Sequence, residues 1–204
     1  MDLEELTGQV MRRIFVELEA SGRHVHVTKE QARKLFGHEL TPKRELSQPG
    51  QFLANERVTV VGPKGEFQNV AVLGPERPEA QVEISLTDGR TLGIQPPVRL
   101  SGSVRDTPGA LLKGSTGSVQ LEQGVIAARR HVHMHPDDAA AMGIQEGQSV
   151  NLQTFTDRPV IFEDLAVRVH PGFRTRVHLD YDEANACGFR NGDLGRLLPC
   201  KKHC

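Results

Sequence analysis

The tetrapeptide Arg-His-Val-His occurs twice in this chain, at residues 23–26 and 130–133, and each copy runs into a segment that predicts a short helix. Alignment of the two copies pairs similar side chains through that segment: Glu30 with Asp137, Ala32 with Ala139 and Leu35 with Met142. A strand, a turn and a helix repeated in the same order indicate an internal duplication. The chain is therefore expected to fold as two related halves.

Most of the remaining sequence alternates apolar and polar residues over short stretches that are separated by Gly, Pro and Asp. Hairpins are predicted with turns at residues 62–65 and at residues 88–89. Many short strands with few helices indicate a mainly β fold, with two small antiparallel β-barrel domains capped by short α-helices. Residues 38–54 lack a clear period and predict an excursion from the sheet, whereas Gly, Ser and Thr near residues 113–120 predict a linker.

The overall charge excludes several classes of partner. The 25 Lys and Arg nearly balance the 26 Asp and Glu, so neither nucleic acid nor an acidic membrane surface is expected to bind. No apolar run is long enough for a membrane span, and the start of the chain does not resemble a secretory signal. The three cysteines, Cys187, Cys200 and Cys204, lack the spacing of a disulfide framework and fit reduced thiols in a cytoplasmic protein.

Residues 2–13 place apolar side chains near one helical face, with acids early and arginines late. This pattern predicts a short amphipathic helix. The helix would either pack on its own domain or act as a docking peptide for another protein.

The repeated histidines are candidate metal ligands. Residues i and i+2 of a strand point to the same face, so His24 with His26, and His131 with His133, each present two imidazoles together. Such pairs suit a transition-metal ion that prefers nitrogen donors. Exposed or core histidines are the alternative, but the duplication also repeats the flanking Arg and Val and favours the metal sites.

Further polar residues lie in or near other β-like segments. Glu83 and His178 alternate with apolar residues and are the best candidates for additional ligands. Arg77, a short way before Glu83, would reach a metal-bound anion through a turn, although a surface salt bridge is the alternative. His135 would add a third imidazole to the second motif, but it aligns with Thr28 at a predicted helix cap and is expected to have a capping role.

Common catalytic motifs are missing from the sequence. It has no P-loop, no GxGxxG before a helix, no GxSxG and no HExxH. These absences remove the main support for nucleotide hydrolysis and dinucleotide redox chemistry. Cys187 is a candidate nucleophile, but no partner is evident near it in the sequence.

The assembled motifs resemble the PduL-type phosphate acyltransferases (phosphotransacylases) of bacterial microcompartments over essentially the whole chain. The matching stretches are, in order, SGRHVHVTKE, LSQPGQF, VTVVGPKGEFQNVAVLGPER, QVEISLTDGRTLGI, GVIAARRHVHM and HLDYDEANACG. The resemblance implies transfer of a short acyl group, propanoyl or acetyl, between coenzyme A and inorganic phosphate. It further implies a dimetal site, with two zinc ions per chain, between two barrels, and direct attack without a covalent acyl-enzyme.

The resemblance also implies domain boundaries and partners. The first barrel is discontinuous and comprises residues 14–22 and 129–204, whereas residues 23–128 form the second barrel with the inserted excursion and linker. Residues 1–13 would be an encapsulation peptide that contacts shell or cargo proteins through residues 2–13. The enzyme would be a homodimer, located in the cytoplasm or inside a microcompartment.

Individual roles follow from the same resemblance. One zinc would be held by His24, His26 and Glu83, and the other by His131, His133 and His178. Arg77 would clamp phosphate with help from Ser101, and Lys64 and Asn185 would contact coenzyme A. Two rival functions stay open: a zinc-dependent hydrolase with Glu83 as the base that activates a metal-bound water, and a non-catalytic microcompartment scaffold whose histidines staple the domains together.

Overall fold

The computed structural model describes residues 2, 7, 8, 11 and 14–200. The chain divides into two compact units: a split unit, made of residues 1–21 and 130–204, and a central unit, made of residues 22–129. In chain order, the elements are β1 (Val16–Ser21), β2 (His24–His26), α1 (Lys29–Phe36), β3 (Pro42–Glu45), β4 (Phe52–Val61), β5 (Glu66–Gly74), β6 (Gln81–Glu83), α2 (Leu86–Leu92), β7 (Val98–Arg99), β8 (Ala110–Lys113), β9 (Ser118–Leu121), β10 (Val125–Ala128), β11 (His131–Met134), α3 (Pro136–Met142), β12 (Ser149–Phe155), β13 (Ile161–Val169), β14 (Arg176–Asp180), α4 (Tyr181–Cys187) and β15 (Leu194–Pro199).

The split unit is a closed barrel with the strand order β1-β14-β11-β13-β12-β15. Its strands alternate buried apolar residues with residues that face away from the core, as a sheet with one packed face requires. The barrel is filled by apolar side chains from every strand, among them Leu18, Val132, Leu152, Leu165, Val177 and Leu197.

The central unit is a nine-stranded sheet with the order β7-β10-β6-β2-β5-β4-β8-β9, and β3 pairs with β4. Its core contains side chains from the sheet and from helix α1, including Val25, Leu35, Val58, Val72, Val82 and Leu112. The predicted mainly β fold with short helices is therefore confirmed, and a closed barrel forms in the split unit.

The predicted antiparallel pairing is corrected to mixed pairing. Strands β1 and β14, β11 and β13, β2 and β5, β6 and β10, and β7 and β10 run parallel. Parallel neighbours need a crossover connection, commonly with a helix. Helices α1 and α3 lie in the connections that follow the two His-x-His strands, and each such strand pairs in parallel with a later strand.

The duplication extends to sheet topology. The order β10-β6-β2-β5-β4 in the central unit matches β1-β14-β11-β13-β12 in the split unit, with the same sequence of parallel and antiparallel pairs. The strand that comes just before each His-x-His strand does not belong to the same unit as that strand. Strand β1 precedes β2 in the chain but is part of the split unit, and β10 precedes β11 but is part of the central unit. The two units therefore exchange their first strands.

Two local predictions are wrong. Residues 88–89 are not a hairpin turn, because they lie inside α2, which starts with a capping box formed by Ser85 and Asp88. Glycine is required at position 89 of this helix because a Cβ there would lie only 2.6 Å from Pro96 Cδ. The stretch near 113–120 is not a linker, because β8 and β9 form a hairpin whose turn is closed by a Gly114 N to Gly117 O hydrogen bond of 2.8 Å.

Two other local predictions have different outcomes. The hairpin turn at residues 62–65 is confirmed by a Gly62 N to Gly65 O hydrogen bond of 2.9 Å. The predicted excursion at residues 38–54 contains β3 and the start of β4, which pair with each other.

The ends of the chain are described only in part. Within the predicted helix at residues 2–13, Thr7, Gly8 and Met11 are helical, and the remaining predicted helical residues apart from Asp2 lie outside the described residues. The tail at residues 201–204 also lies outside them. None of the helices in the described residues combines the length and apolar character that crossing a membrane requires.

Candidate active site

The first donor cluster lies in the central unit and consists of His24, His26 and Glu83. Val25 packs in the core, so the two histidines of β2 share the opposite face of the sheet. Strand β6 runs antiparallel beside β2 and places Glu83 directly opposite His24. The Nε2 atoms of His24 and His26 lie 3.5 and 4.0 Å from Glu83 Oε1. All three residues are buried.

Backbone carbonyl groups fix the orientation of both imidazole rings. His24 Nδ1 lies 2.8 Å from Gly22 O, and His26 Nδ1 lies 3.2 Å from Leu73 O. An Nδ1–H that donates to a carbonyl leaves the Nε2 lone pair available, which is the usual arrangement of histidine ligands. His26 Nε2 is buried without a hydrogen-bond partner. A buried polar atom of this kind calls for an explanation, and a cation among these three donors supplies one.

Burial and mutual attraction set the charges of this cluster. Burial lowers the pKa of His26 to about 2, and the charges of His24 and Arg77 act in the same direction. Burial would also lower the pKa of His24, but the adjacent Glu83 carboxylate raises it above its usual value. For Glu83, burial opposes ionisation, yet His24 and the hydrogen bonds hold its pKa well below the usual range. Glu83 is therefore a carboxylate, the form that binds a metal.

A hydrogen-bond network brings Arg77 and Ser101 to this cluster. Ser101 Oγ lies 3.0 Å from Glu83 Oε1, and Arg77 Nη1 donates to Ser101 Oγ at 3.1 Å. Gln81 donates to both Ser101 Oγ and Glu83 Oε1, and its own Oε1 accepts from the Gly102 amide at 2.7 Å. Gln81 was not predicted from the sequence, although its position two residues before Glu83 on β6 places it on the same face.

The second donor cluster lies in the split unit and consists of His131, His133 and His178. His131 on β11 is directly opposite His178 on β14, and their rings stack with centroids 5.0 Å apart. His133 Nδ1 lies 3.2 Å from His178 Nε2, and the Phe173 ring packs 4.1 Å from the His133 ring. In each cluster, the potential ligand atoms all lie within 4.8 Å of one another.

The repeated arginines fasten the two clusters in the same way. Arg23 donates to both carboxylate oxygens of Asp88, at 3.1 and 2.7 Å, and Arg130 donates to Glu183 at 2.5 Å. Asp88 and Glu183 are the third residues of α2 and α4, and they complete the capping boxes of those helices. Each of these helices follows the strand that carries the third donor of its cluster. In each unit, the arginine therefore connects the His-x-His strand to the helix that follows the neighbouring donor strand. The repeat of the arginine in the sequence was noted, but this role was not predicted.

Comparisons with known proteins identify the family of this chain. A model of the phosphate propanoyltransferase family matches residues 17–190. The chain belongs to the phosphate propanoyltransferase family. Relatives described as phosphate propanoyltransferases include those of Listeria monocytogenes (50% identical over 198 residues, 96% of this chain and 93% of the relative), Enterococcus faecalis (48% over 204 residues, 96% and 97%) and Thermotoga maritima (50% over 177 residues, 85% and 84%). The expected enzyme class, a phosphate acyltransferase, is confirmed.

Two residues that were expected to bind coenzyme A are exposed in this family member. Lys64 is exposed in the turn between β4 and β5, where its backbone amide donates to Leu92 O at 2.9 Å. Asn185 is exposed on α4, where its carbonyl accepts from the Gly188 amide at 3.2 Å. Among the contacts of the described residues, none joins either side chain to a cluster donor.

Two further predicted roles have clear outcomes in this phosphate propanoyltransferase-family chain. His135 is the N-cap residue of α3, and its Nδ1 accepts from the Asp137 amide at 3.3 Å, which confirms the capping role. Cys187 is buried in the core of the split unit, and its Sγ donates to Ala184 O at 3.4 Å. Burial raises the pKa of its thiol. Cys187 is therefore a core residue, and its environment disfavours the thiolate that a nucleophile needs.

Proposed function

We propose that this enzyme transfers a short acyl group, propanoyl or acetyl, between coenzyme A and inorganic phosphate at two metal centres. The observation that carries the proposal is the buried, unpartnered Nε2 of His26 beside the ionised Glu83 carboxylate. A divalent cation would pair with both groups. The family to which the chain belongs supports the choice of reaction.

The donor atoms fit zinc, with two ions per chain. His24, His26 and Glu83 would hold one ion through two nitrogens and one oxygen, and His131, His133 and His178 would hold the other through three nitrogens. Three protein ligands with one open position are typical of catalytic zinc. Bound zinc would supply Lewis-acid chemistry, polarising a carbonyl oxygen and stabilising a thiolate.

Arg77 and Ser101 are proposed to bind and orient the phosphate. Arg77 lies next to the first cluster, since it donates to Ser101 Oγ, which lies 3.0 Å from Glu83 Oε1, and a guanidinium can grip two phosphate oxygens at once. A phosphate oxygen would attack the thioester carbonyl carbon, the C–S bond would break, and coenzyme A would leave as the thiolate. Arg77 would offset the negative charge that gathers between phosphate and the tetrahedral intermediate.

Direct transfer is favoured over a covalent acyl-enzyme. The Cys187 thiol is buried in the core and its pKa is raised. The Ser101 hydroxyl lies next to Glu83, whose lowered pKa makes it a poor base for activating a hydroxyl. Catalysis would then depend mainly on the positioning of the two substrates.

Several finer assignments belong to the same proposal. Lys64 and Asn185, both exposed, would contact coenzyme A, and residues 2–13 would act as an encapsulation peptide for a microcompartment. Both propanoyl and acetyl groups are proposed as substrates, because one methylene changes discrimination by only about 1–3 kcal/mol.

The test follows acyl-coenzyme A formation from propanoyl or acetyl phosphate by the purified, zinc-loaded enzyme. Substitution Arg77→Gln is expected to lower kcat/KM by about 100- to 1000-fold, the effect of removing one donor that stabilises developing charge. Arg105→Gln is the matched control, because the Arg105 side chain is 92% exposed and pairs only with the exposed Asp106 among the described ion pairs. Its kcat/KM should not change.

Two results would contradict the proposal. If the enzyme released free propanoate from propanoyl phosphate and formed no propanoyl-coenzyme A when coenzyme A was present, it would be a metal-dependent hydrolase. A zinc-loaded protein that neither forms acyl-coenzyme A nor hydrolyses acyl phosphate would instead fit a scaffold.

A further inference from the structure

Glu19 lies in the same row of side chains as two histidines of the second donor cluster. It is directly opposite His178 in the parallel pair of β1 and β14, and His178 is directly opposite His131 in the antiparallel pair of β14 and β11. Directly paired residues of neighbouring strands point to the same face of a sheet. The adjacent Leu18 and Val177 fill the barrel core, so Glu19, His178 and His131 share the face that points away from that core.

The Glu19 carboxylate has a buried oxygen without a hydrogen-bond partner. Among the described residues, two buried side-chain N or O atoms lack such a partner: His26 Nε2 and Glu19 Oε2. The first belongs to the donor cluster of the central unit, and the second lies beside the donor cluster of the split unit. Burying a polar atom without a partner is costly, and a cation bound beside it would offset that cost in both places.

The duplication allows the position of Glu19 to be compared with the corresponding position in the central unit. Strand β10 corresponds to β1, and in the central unit it places Ile126 opposite Glu83. The third donor is thus a carboxylate beside an isoleucine in the central unit, and a histidine beside a carboxylate in the split unit. Each cluster therefore has one carboxylate in its row of side chains. In the central unit it is on β6, beside the His-x-His strand, and in the split unit it is on β1, one strand further away. Both arrangements keep one carboxylate near each set of imidazoles.

We propose that Glu19 is a further residue of the second metal centre, where its carboxylate supplies the negative charge that Glu83 supplies at the first. The inference rests on the proposed dimetal site. Three neutral imidazoles leave the double positive charge of a divalent ion uncompensated, and a carboxylate in the adjacent strand position offsets part of it. Glu19 would either bind the ion or accept a hydrogen bond from a water or phosphate bound to it.

Glu17 shows that the strand alone does not explain this feature. It lies on the same strand and face as Glu19, directly opposite Arg176, and forms an ion pair with that arginine. Within the described part of the chain, no ion pair is found for Glu19. Glu17 is therefore a matched control with the same charge, the same strand and a different partner.

The experiment measures binding of zinc and of cobalt(II) to the His24→Ala protein, which isolates the second centre, with and without Glu19→Gln. Titration against a chromophoric chelator gives the affinity, and the cobalt(II) absorption spectrum reports the coordination. We expect Glu19→Gln to weaken binding by about 10- to 100-fold and Glu17→Gln to leave it unchanged. Equal affinity and identical spectra with and without Glu19→Gln would overturn the inference.

Thermal unfolding separates a metal role from a structural one. Glu19→Gln removes a partly buried carboxylate whose Oε2 atom has no hydrogen-bond partner, so the Tm of the metal-free protein should stay unchanged or rise, while the increase in Tm on adding zinc becomes smaller. A lower Tm of the metal-free Glu19→Gln protein, with an undiminished increase on adding zinc, would assign Glu19 to folding and also overturn the inference. If wild-type protein binds no zinc at all, the proposed dimetal site itself fails, which is a distinguishable result.

Discussion

Burial acts differently on the ionisable side chains of this chain, depending on what lies next to each one. Burial lowers the pKa of His26 and keeps this imidazole neutral, the form that can bind a metal. Burial opposes ionisation of Glu83, but the adjacent His24 and the hydrogen bonds lower its pKa and keep it a carboxylate. For Cys187, burial raises the pKa of the thiol, and the charges of Asp193 and Glu183 act in the same direction. Burial therefore favours metal binding at His26 and makes Cys187 inert.

The reactivity of the cysteines tests this difference at the residue scale. Because the raised pKa of Cys187 leaves little thiolate, iodoacetamide at about pH 8 should modify it far more slowly than an ordinary thiol. Its reactivity should appear only at pH values above that raised pKa, or after unfolding. Peptide mapping by mass spectrometry would compare Cys187 with Cys200, which is partly exposed. Equal labelling rates of the two cysteines in the native protein would contradict the prediction, because they would show that the Cys187 thiol is accessible and ionises as an ordinary thiol does.

The candidate donors could largely be predicted from the sequence at this scale. The alternation in β2, β6, β11 and β14 identified six residues that the structure gathers into two clusters. Gln81 was missed although its spacing of two residues from Glu83 on one strand marks it. Glu19 was missed because its position beside His178 follows from the register of β1 and β14, which a single sequence does not specify.

Strands and capped helices are the elements that hold these side chains in place. In each unit, the donor strand that follows the His-x-His strand leads into a helix whose capping box binds the repeated arginine. The capping residues also explain why the hairpin predicted at residues 88–89 was wrong. The Asp-Gly pair is a turn signal by itself, but Ser85 three residues before Asp88 makes a capping box, and the helix forms.

The arginine contact can be tested at the scale of the element. Arg23→Lys keeps the charge but removes the two-pronged bond to Asp88 and the contact with the Phe67 ring, 4.1 Å from the guanidinium carbon. We expect zinc affinity at the first centre to fall by about 10-fold. The free energy of unfolding should fall by about 1 kcal/mol, at the lower end for a charged hydrogen bond because Arg23 is 37% exposed.

The control for Arg23→Lys is Arg33→Lys. Arg33 pairs with Glu39 on the surface, and both side chains are well exposed, so zinc affinity should not change and stability should change by less than about 0.5 kcal/mol. Metal titration and chemical denaturation measure both quantities. An Arg23→Lys protein that is indistinguishable from the control would show that the arginine does not position the donors.

At the scale of the whole molecule, the duplication is the main organising feature. The repeated tetrapeptide and its helix revealed it in the sequence, and the matching sheet orders of the two units extend it to five strands each. The placement of β1 with the C-terminal segment was expected only from the family resemblance, and the parallel pairs were not predicted. They depend on pairing between segments far apart in the chain, for which local alternation carries no information.

The two halves have diverged in the chemistry of their donors while they kept the same framework. The central unit combines two imidazoles with a carboxylate and adds Arg77 and Ser101, the residues proposed to bind phosphate. The split unit presents three imidazoles with Glu19 in the adjacent row. Under the proposed function, this duplicated scaffold would provide two metal centres with different donor sets for the acyl transfer.

The most direct test of this account is a crystal structure of the zinc-loaded protein with anomalous scattering measured on both sides of the zinc absorption edge. We predict two anomalous peaks per chain, one among His24, His26 and Glu83 and one among His131, His133 and His178, each lost selectively in His24→Ala or His131→Ala protein that still folds. Zinc–nitrogen distances should be about 2.0–2.1 Å. The absence of a peak at both clusters, with zinc bound only elsewhere on the protein, would contradict the account.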